Sequence, residues 1–233
     1  MKYCLLLVFM MFPAVCARTQ SQEAVILLHG LGRSSSSMEK MEKHMKDSGY
    51  LVVNVDYQST KTSIDDVADS LVFPRVDSLE AKVKKIHFVT HSMGGIIVRH
   101  LFANHEIESA GRVVMMGPPN RGSEVADFLT KIKADAVLGD NLKKLRTDSA
   151  SLVNLLPAPD CEFGVIAGTR SINLINSIII KGRDDGKVSV ENTRLEGMKD
   201  HVVVPVTHTF MMRNEKVIEQ TLHFLKRGCF KVE

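Results

Sequence analysis

A short buried-type strand that ends in a serine and turns at once into a glycine-led helix constrains this chain more than any other feature. Ile86 to Val89 is apolar, Thr90-His91-Ser92-Met93-Gly94-Gly95 follows, and from Ile96 to Ala103 apolar residues recur at a helical period. A sharp strand-to-helix turn holds a side chain exposed at a fixed position, and Gly94 and Gly95 leave room where the helix passes close to the strand. A serine hydroxyl is a weak nucleophile at neutral pH and needs such exposure together with an adjacent base. Ser92 is therefore a candidate nucleophile.

The same alternation runs along the chain. Ala24 to Leu28 is a continuous apolar run bounded by His29-Gly30, as expected for a strand buried on both faces. Ser34 to Ser37 offer N-caps for a helix through Asp47, Gly49 closes it, and Tyr50 to Val55 supplies a second strand. Helical character from about Ser63 to Lys85 should break or kink at Pro74. Val113 to Met116, Val165 to Ala167 and Val202 to Val204 read as strands, and Glu215 to Lys226 as a closing amphipathic helix. Strands alternating with helices imply right-handed crossovers and a mostly parallel sheet covered on both faces. Between Met116 and Val165 the connection is far longer than a crossover needs and holds two helical patterns, Ser123 to Lys133 and Leu138 to Leu145. This surplus, about 120–160, is expected to cap the carboxyl end of the sheet.

With 233 residues, 44% of them hydrophobic, the chain can bury one substantial core. Its 30 basic and 27 acidic residues are mixed, giving a formal charge of +3 with no basic arm, so nucleic acid is not an expected partner. Lys2 followed by the apolar run Tyr3 to Val15 reads as a secretory signal, with small residues Val15 and Ala17 ahead of a cut after Ala17. The mature chain is then expected to be secreted or periplasmic, the alternative being an anchor formed by the uncleaved segment. Cys161 and Cys229 remain beyond the signal, either as one disulfide or as two separate thiols.

The turn around Ser92 resembles the nucleophile elbow of α/β-hydrolase-fold lipases and esterases, with Thr90 where the first glycine of G-x-S-x-G is usual. The resemblance covers about Ala24 to Arg227. It implies an α/β-hydrolase fold: a mostly parallel sheet, helices on both faces and a small helical cap insertion. His29-Gly30-Leu31-Gly32 is similar to the family's oxyanion loop, which implies backbone N–H donors at Leu31 and Met93. The family's chain order, nucleophile then acid then base, points to Asp185, in Asp184-Asp185-Gly186, and to His208, in Pro205-Val206-Thr207-His208. Asp184 and Asp160 are rival acids and His201 a rival base. Gly117-Pro118-Pro119-Asn120-Arg121-Gly122-Ser123 resembles a stretch of many lipases and also reads as a proline turn capped into a helix by Ser123.

The resemblance implies hydrolysis of a carboxylic ester, small-molecule or lipid, through an acyl-serine. Transfer of the same acyl group to an alcohol and a non-catalytic binding role are the alternatives. Ile172 to Ile180, with Leu138, Leu142 and Phe128, is expected to line an acyl pocket. A monomer that touches lipid surfaces transiently is the partner expectation. No Cys/His metal spacing, P-loop or dinucleotide glycine fingerprint appears, so neither metal nor cofactor is expected.

Overall fold

Continuous apolar runs are what a sheet covered on both faces requires, and they form its centre. The computed structural model describes residues 22–172 and 174–232; the proposed signal at 1–17 lies outside them. Six strands, β1 (Glu23–Leu28), β2 (Leu51–Val55), β3 (Lys85–His91), β4 (Ala110–Met116), β5 (Phe163–Gly168) and β6 (Asp200–Val204), form one sheet in the order β2-β1-β3-β4-β5-β6. Every pairing is parallel, with Ile26 of β1 between Val53 and Phe88.

The alternation of side chains along each strand divides the core in two. Ile26, Leu28, Ile86, Phe88, Val113 and Met115 face one side. Val25, Leu27, Val89, Val114 and Met116 face the other. The second face is covered by α1 (Glu39–Asp47) and, from the chain's end, by the helix Glu215–Arg227. The first is covered by α2 (Ile64–Asp66), α3 (Phe73–Glu80) and α4 (Met93–Asn104). Because β1 connects to β2 on one side and β3 pairs on its other side, strand order reverses between β1 and β3. Open α/β sheets bind ligands beyond the carboxyl ends of strands at such a point.

Some local expectations change. The helix expected from Ser34 begins as a 3-10 turn, Ser35–Met38, and Ser34 makes no side-chain capping bond. The Ser35 N–H donates instead to Asp56 Oδ1 at 2.8 Å, so the cap comes from beyond β2. Pro74 does not break its helix either. A π-helical segment, Val67–Val72, joins α2 to α3, and Pro74 falls in the first turn of α3, where its missing N–H costs least.

The long connection between β4 and β5 holds four short helices, α5 (Glu124–Lys131), α6 (Asp135–Leu138), α7 (Asn141–Lys144) and α8 (Leu152–Leu155). Ser123 caps α5, accepting from the Ala126 N–H at 3.3 Å. The single helix expected from Leu138 to Leu145 divides at Gly139, where φ is 81°. Asn141 then ties the insertion to the α2 region: it donates to the carbonyls of Ser59 and Thr62 at 2.9 and 2.7 Å and accepts from the Ile64 N–H at 3.1 Å. Helix α9 (Leu174–Ile179) lies between β5 and β6, and α10 (Glu215–Arg227) closes the chain. Cys161 and Cys229 are both free thiols, which settles the alternative left open by the sequence. Among the described residues no helix is long and apolar enough to cross a membrane.

Candidate active site

Ser92 joins β3 to α4 with φ 54° and ψ −122°, a conformation that a side-chain-bearing residue adopts only when its surroundings enforce it. The enforcement is visible on both sides. The Ser92 N–H donates to the Met116 carbonyl at 2.9 Å, fastening the turn to β4, and the Gly95 N–H donates to the Ser92 carbonyl at 3.0 Å. A Cβ at Gly94 would lie 2.5 Å from the Leu28 carbonyl oxygen, so only glycine lets α4 cross β1 this closely. Thr90, in place of the usual glycine, is fully buried and directs its hydroxyl to the Val114 carbonyl at 3.4 Å. Gly95 lies beside that hydroxyl, 3.4 Å from the position its own Cβ would take. The tighter neighbour at Gly95 is Pro118, whose Cβ would lie 3.1 Å from a Cβ there.

Asp185 and His208 come together from two loops. His208 Nδ1 lies 2.7 Å from Asp185 Oδ2, and the His208 N–H donates to the Asp185 carbonyl at 2.9 Å. Asp185 Oδ1 accepts from the N–H groups of Lys187 and Val188 at 3.0 and 2.9 Å, so both carboxylate oxygens are engaged in a buried setting. Gly117, at φ 56°, passes beneath the pair; a Cβ there would stand 3.0 Å from Asp185 Oδ2 and 3.1 Å from His208 Nδ1. That contact gives the Gly117-Pro118-Pro119 stretch a role the sequence did not disclose.

The rivals are otherwise occupied. Asp184 accepts from the Gly186 N–H at 2.7 Å and from the Ser177 hydroxyl at 3.0 Å, shaping the turn that presents Asp185. His201 contacts Thr193 Oγ1 at 3.1 Å, and burial, reinforced by Arg194, lowers its pKa to about 4. Asp160 lies with Glu23 and Lys85 at the amino end of the sheet.

A cavity of about 170 Å³ joins the pieces, lined by Ser92, His208, the Gly30-Leu31 backbone, Val125, Leu129, Leu138, Leu142 and Leu145. A Cβ at Gly30 would fall 3.0 Å from Ser92 Cβ, so the loop after β1 lies directly against the serine. Met93, buried beneath it, opens α4, whose first N–H groups have no acceptor within the helix. The apolar wall differs from the expected one. Leu138 and Leu142 line it, whereas Phe128 and, among the described residues, the run Ile172 to Ile180 do not. Ile172, Ile175 and Ile178 point to solvent, at 72%, 67% and 84% exposed, while Asn176 between them turns inward and donates to the Gly186 carbonyl at 2.7 Å.

Four residues of the site region escaped the sequence reading. His91 is buried behind His208, its Nε2 3.0 Å from the His208 carbonyl and its Nδ1 without a partner. Burial first, and the neighbouring His208 charge second, hold its pKa well below the usual 6.5, so it is neutral and donates from Nε2. Arg99 on α4 is buried without a carboxylate. It donates to the carbonyls of Leu156, Pro157 (3.0 Å) and Asn120 (3.1 Å), fastening both ends of the insertion, and burial lowers its pKa to about 10. Arg33 and Lys187 stand at the cavity mouth. The only sequence signal for Arg99 is a charge on an otherwise apolar helix; His91 and the two mouth cations have none. His29 stacks on Tyr57, with ring centroids 3.8 Å apart, and the Tyr57 hydroxyl donates to the His29 carbonyl, so both brace the loop. Among the described residues no cluster of His, Cys, Asp and Glu is arranged to hold a metal ion.

The chain belongs to the alpha/beta hydrolase fold family, which it matches over residues 23–160. Among solved structures it is similar to the Bacillus licheniformis lipase BlEst2 in its mature form, at 20% identity and a TM-score of 0.68, covering 87% of this chain and 89% of that one. The product of gene lin2722 from Listeria innocua is similar at 18% identity and a TM-score of 0.60, over 91% and 96% of the two chains. The metagenomic carboxyl esterase MGS0156 follows at 16% identity and 0.66, over 82% and 65%. At these identities the likeness is one of fold. A search of curated proteins gives no match.

Proposed function

We propose that this protein is a serine esterase that hydrolyses carboxylic esters through an acyl-Ser92 intermediate. The observation that carries the reading is the strained Ser92 turn opening into the same cavity as a histidine already bonded to a buried aspartate. With Nδ1 committed to Asp185, His208 has Nε2 left to take the Ser92 proton. Ser92 Oγ then bonds to the ester carbonyl carbon, and the oxyanion meets the backbone N–H groups of Leu31 and Met93. Each such donor is worth roughly 10²–10³ in rate. His208 returns the proton to the departing alcohol, after which a water, deprotonated the same way, releases the acid and restores the serine. Asp185 fixes the imidazole tautomer and stabilises its cation.

The lipase and esterase named among the fold neighbours are compatible with this reading. The cavity lies below the roughly 300–1,000 Å³ of pockets for drug-sized ligands, which favours short acyl groups over long ones. Secretion or periplasmic export of a monomer remains part of the proposal, resting on the first 17 residues. The exposed isoleucines of the α9 region are the surface we assign to transient lipid contact.

A fluorophosphonate probe is expected to label Ser92, and p-nitrophenyl butyrate to turn over faster than the palmitate ester. Ser92→Ala should abolish labelling and lower kcat by about 10⁴ or more. A folded protein that neither labels nor hydrolyses any ester, with Ser92→Ala indistinguishable from it, overturns the reading.

A further inference from the structure

We propose that the ester taken by this site carries a phosphate on its alcohol half, and that Arg33 and Lys187 bind that phosphate; the proposal rests on the esterase reading above.

The cavity has two unlike sides. Val125, Ala126, Leu129, Leu138, Leu142 and Leu145, all from the insertion, make one continuous apolar wall. Arg33 and Lys187 come from the loops at the strand ends and stand at the mouth of the same cavity. No carboxylate lines it, since Asp185 lies behind His208 with both oxygens engaged. Among the described residues neither cation has an ion pair or a side-chain hydrogen bond. The two mouth cations therefore face the cavity with their charge uncompensated.

Both are launched from fixed backbone. The Lys187 N–H donates to Asp185 Oδ1 at 3.0 Å and its carbonyl accepts from the Ser123 hydroxyl at 2.7 Å, so it bridges the acid loop and the cap of α5. Beside Arg33, the Gly32 N–H donates to Ser59 Oγ at 2.9 Å, and that hydroxyl donates on to the Arg33 carbonyl at 3.4 Å. An acyl chain laid on the apolar wall directs the alcohol half of the ester to the mouth. An anion held by both cations then belongs to the alcohol. A phosphate suits the pair, accepting charge-assisted hydrogen bonds from a guanidinium fork and an ammonium together.

The test compares kcat/KM for three soluble esters on the full chain: dihexanoyl phosphatidylglycerol, neutral dihexanoylglycerol, and p-nitrophenyl hydrogen glutarate, whose anion is on the acyl side. The expected result is a preference for the phosphatidyl ester over dihexanoylglycerol. That ratio should fall about tenfold in the Arg33→Gln/Lys187→Gln double variant, the size of two partly exposed charge contacts. Raising the salt should lower the ratio in the wild type, and Arg33→Lys, which keeps the charge but not the fork, should retain part of it. Three results overturn the proposal: a wild-type ratio near one, a ratio the double substitution leaves in place, or a preference for the glutarate that the double substitution removes. If no ester is hydrolysed and fluorophosphonate does not label Ser92, the esterase reading itself has failed and this proposal falls with it.

Discussion

The elbow and the insertion above it are built on opposite plans. From Ile86 to Leu101 every residue except Ser92 and His100 is buried, and strand, turn and helix are fixed by close packing against β1 and β4. The insertion between β4 and β5 is four short helices with Ile132, Val137 and Leu155 exposed. It is held down by a few polar pins, Arg99 and Asn141 foremost. A reacting group must be held within fractions of an ångström, which dense packing does well. A substrate wall fastened at a few points can be reshaped without disturbing the sheet. On the proposed reading, chemistry and specificity thus fall to parts that are held in different ways.

The largest expected effect strikes the packed region. Gly94→Ala gains up to about 1 kcal/mol in helix propensity, yet its Cβ would sit 2.5 Å from the Leu28 carbonyl oxygen. Overpacking of a core typically costs about 1–3 kcal/mol, occasionally more, and here the obstacle is backbone rather than a pliable side chain. A net loss of about 2 kcal/mol in chemical denaturation is expected. Ester turnover should fall as well, because β1 leads directly into the Gly30-Leu31 loop. Unchanged stability would show that the elbow is less constrained than its packing implies.

Arg99→Met probes the pins. It leaves the carbonyls of Leu156, Pro157 and Asn120 without their donor, each worth about 1–3 kcal/mol when buried and unsatisfied, while relieving the burial of a cation. We expect a net loss of about 1–2 kcal/mol and, more tellingly, faster proteolysis within residues 117–162 than in the elbow. Uniform loosening of both regions would break the distinction.

Acid gives the smallest effect and sharpens the contrast. His91 belongs to the elbow, whereas the insertion from Gly117 to Glu162 contains no histidine. Its folded pKa lies well below the unfolded value near 6.5. Unfolding therefore takes up a proton below pH 6.5, and stability falls as the pH drops through that window. The contribution of one proton is at most about 1.4 kcal/mol per pH unit. His91→Gln, which retains a donor for the His208 carbonyl, should show a shallower acid loss in thermal unfolding. A slope equal to that of the wild type would mean that His91 is not the buried neutral donor its contacts indicate.

Much of the fold was legible because its signals are local. The apolar runs of β1 and β3, the capping Ser123 and the amphipathic α10 each state their structure within a dozen residues. Pro74 misled because a widened turn before it lies outside any local rule. Gly139, read as part of one helix, divides two. The acyl wall was half wrong for a related reason: Ile172 to Ile180 is as apolar as a pocket wall, but Ile172, Ile175 and Ile178 face solvent, and which residues of a run are covered is set by its neighbours in space and not by its composition.

By itself the sequence determined the order of strands and helices and the turn that carries Ser92, since periodicity and turn chemistry are written in neighbouring residues; the candidates Asp185 and His208 came from its resemblance to lipases and esterases. Only the tertiary structure decided between Asp184 and Asp185 as the partner of His208, and brought His91, Arg99, Arg33 and Lys187 into the site region. Those outcomes depend on contacts between segments far apart in the chain, where distance and burial select partners and no local pattern records the choice.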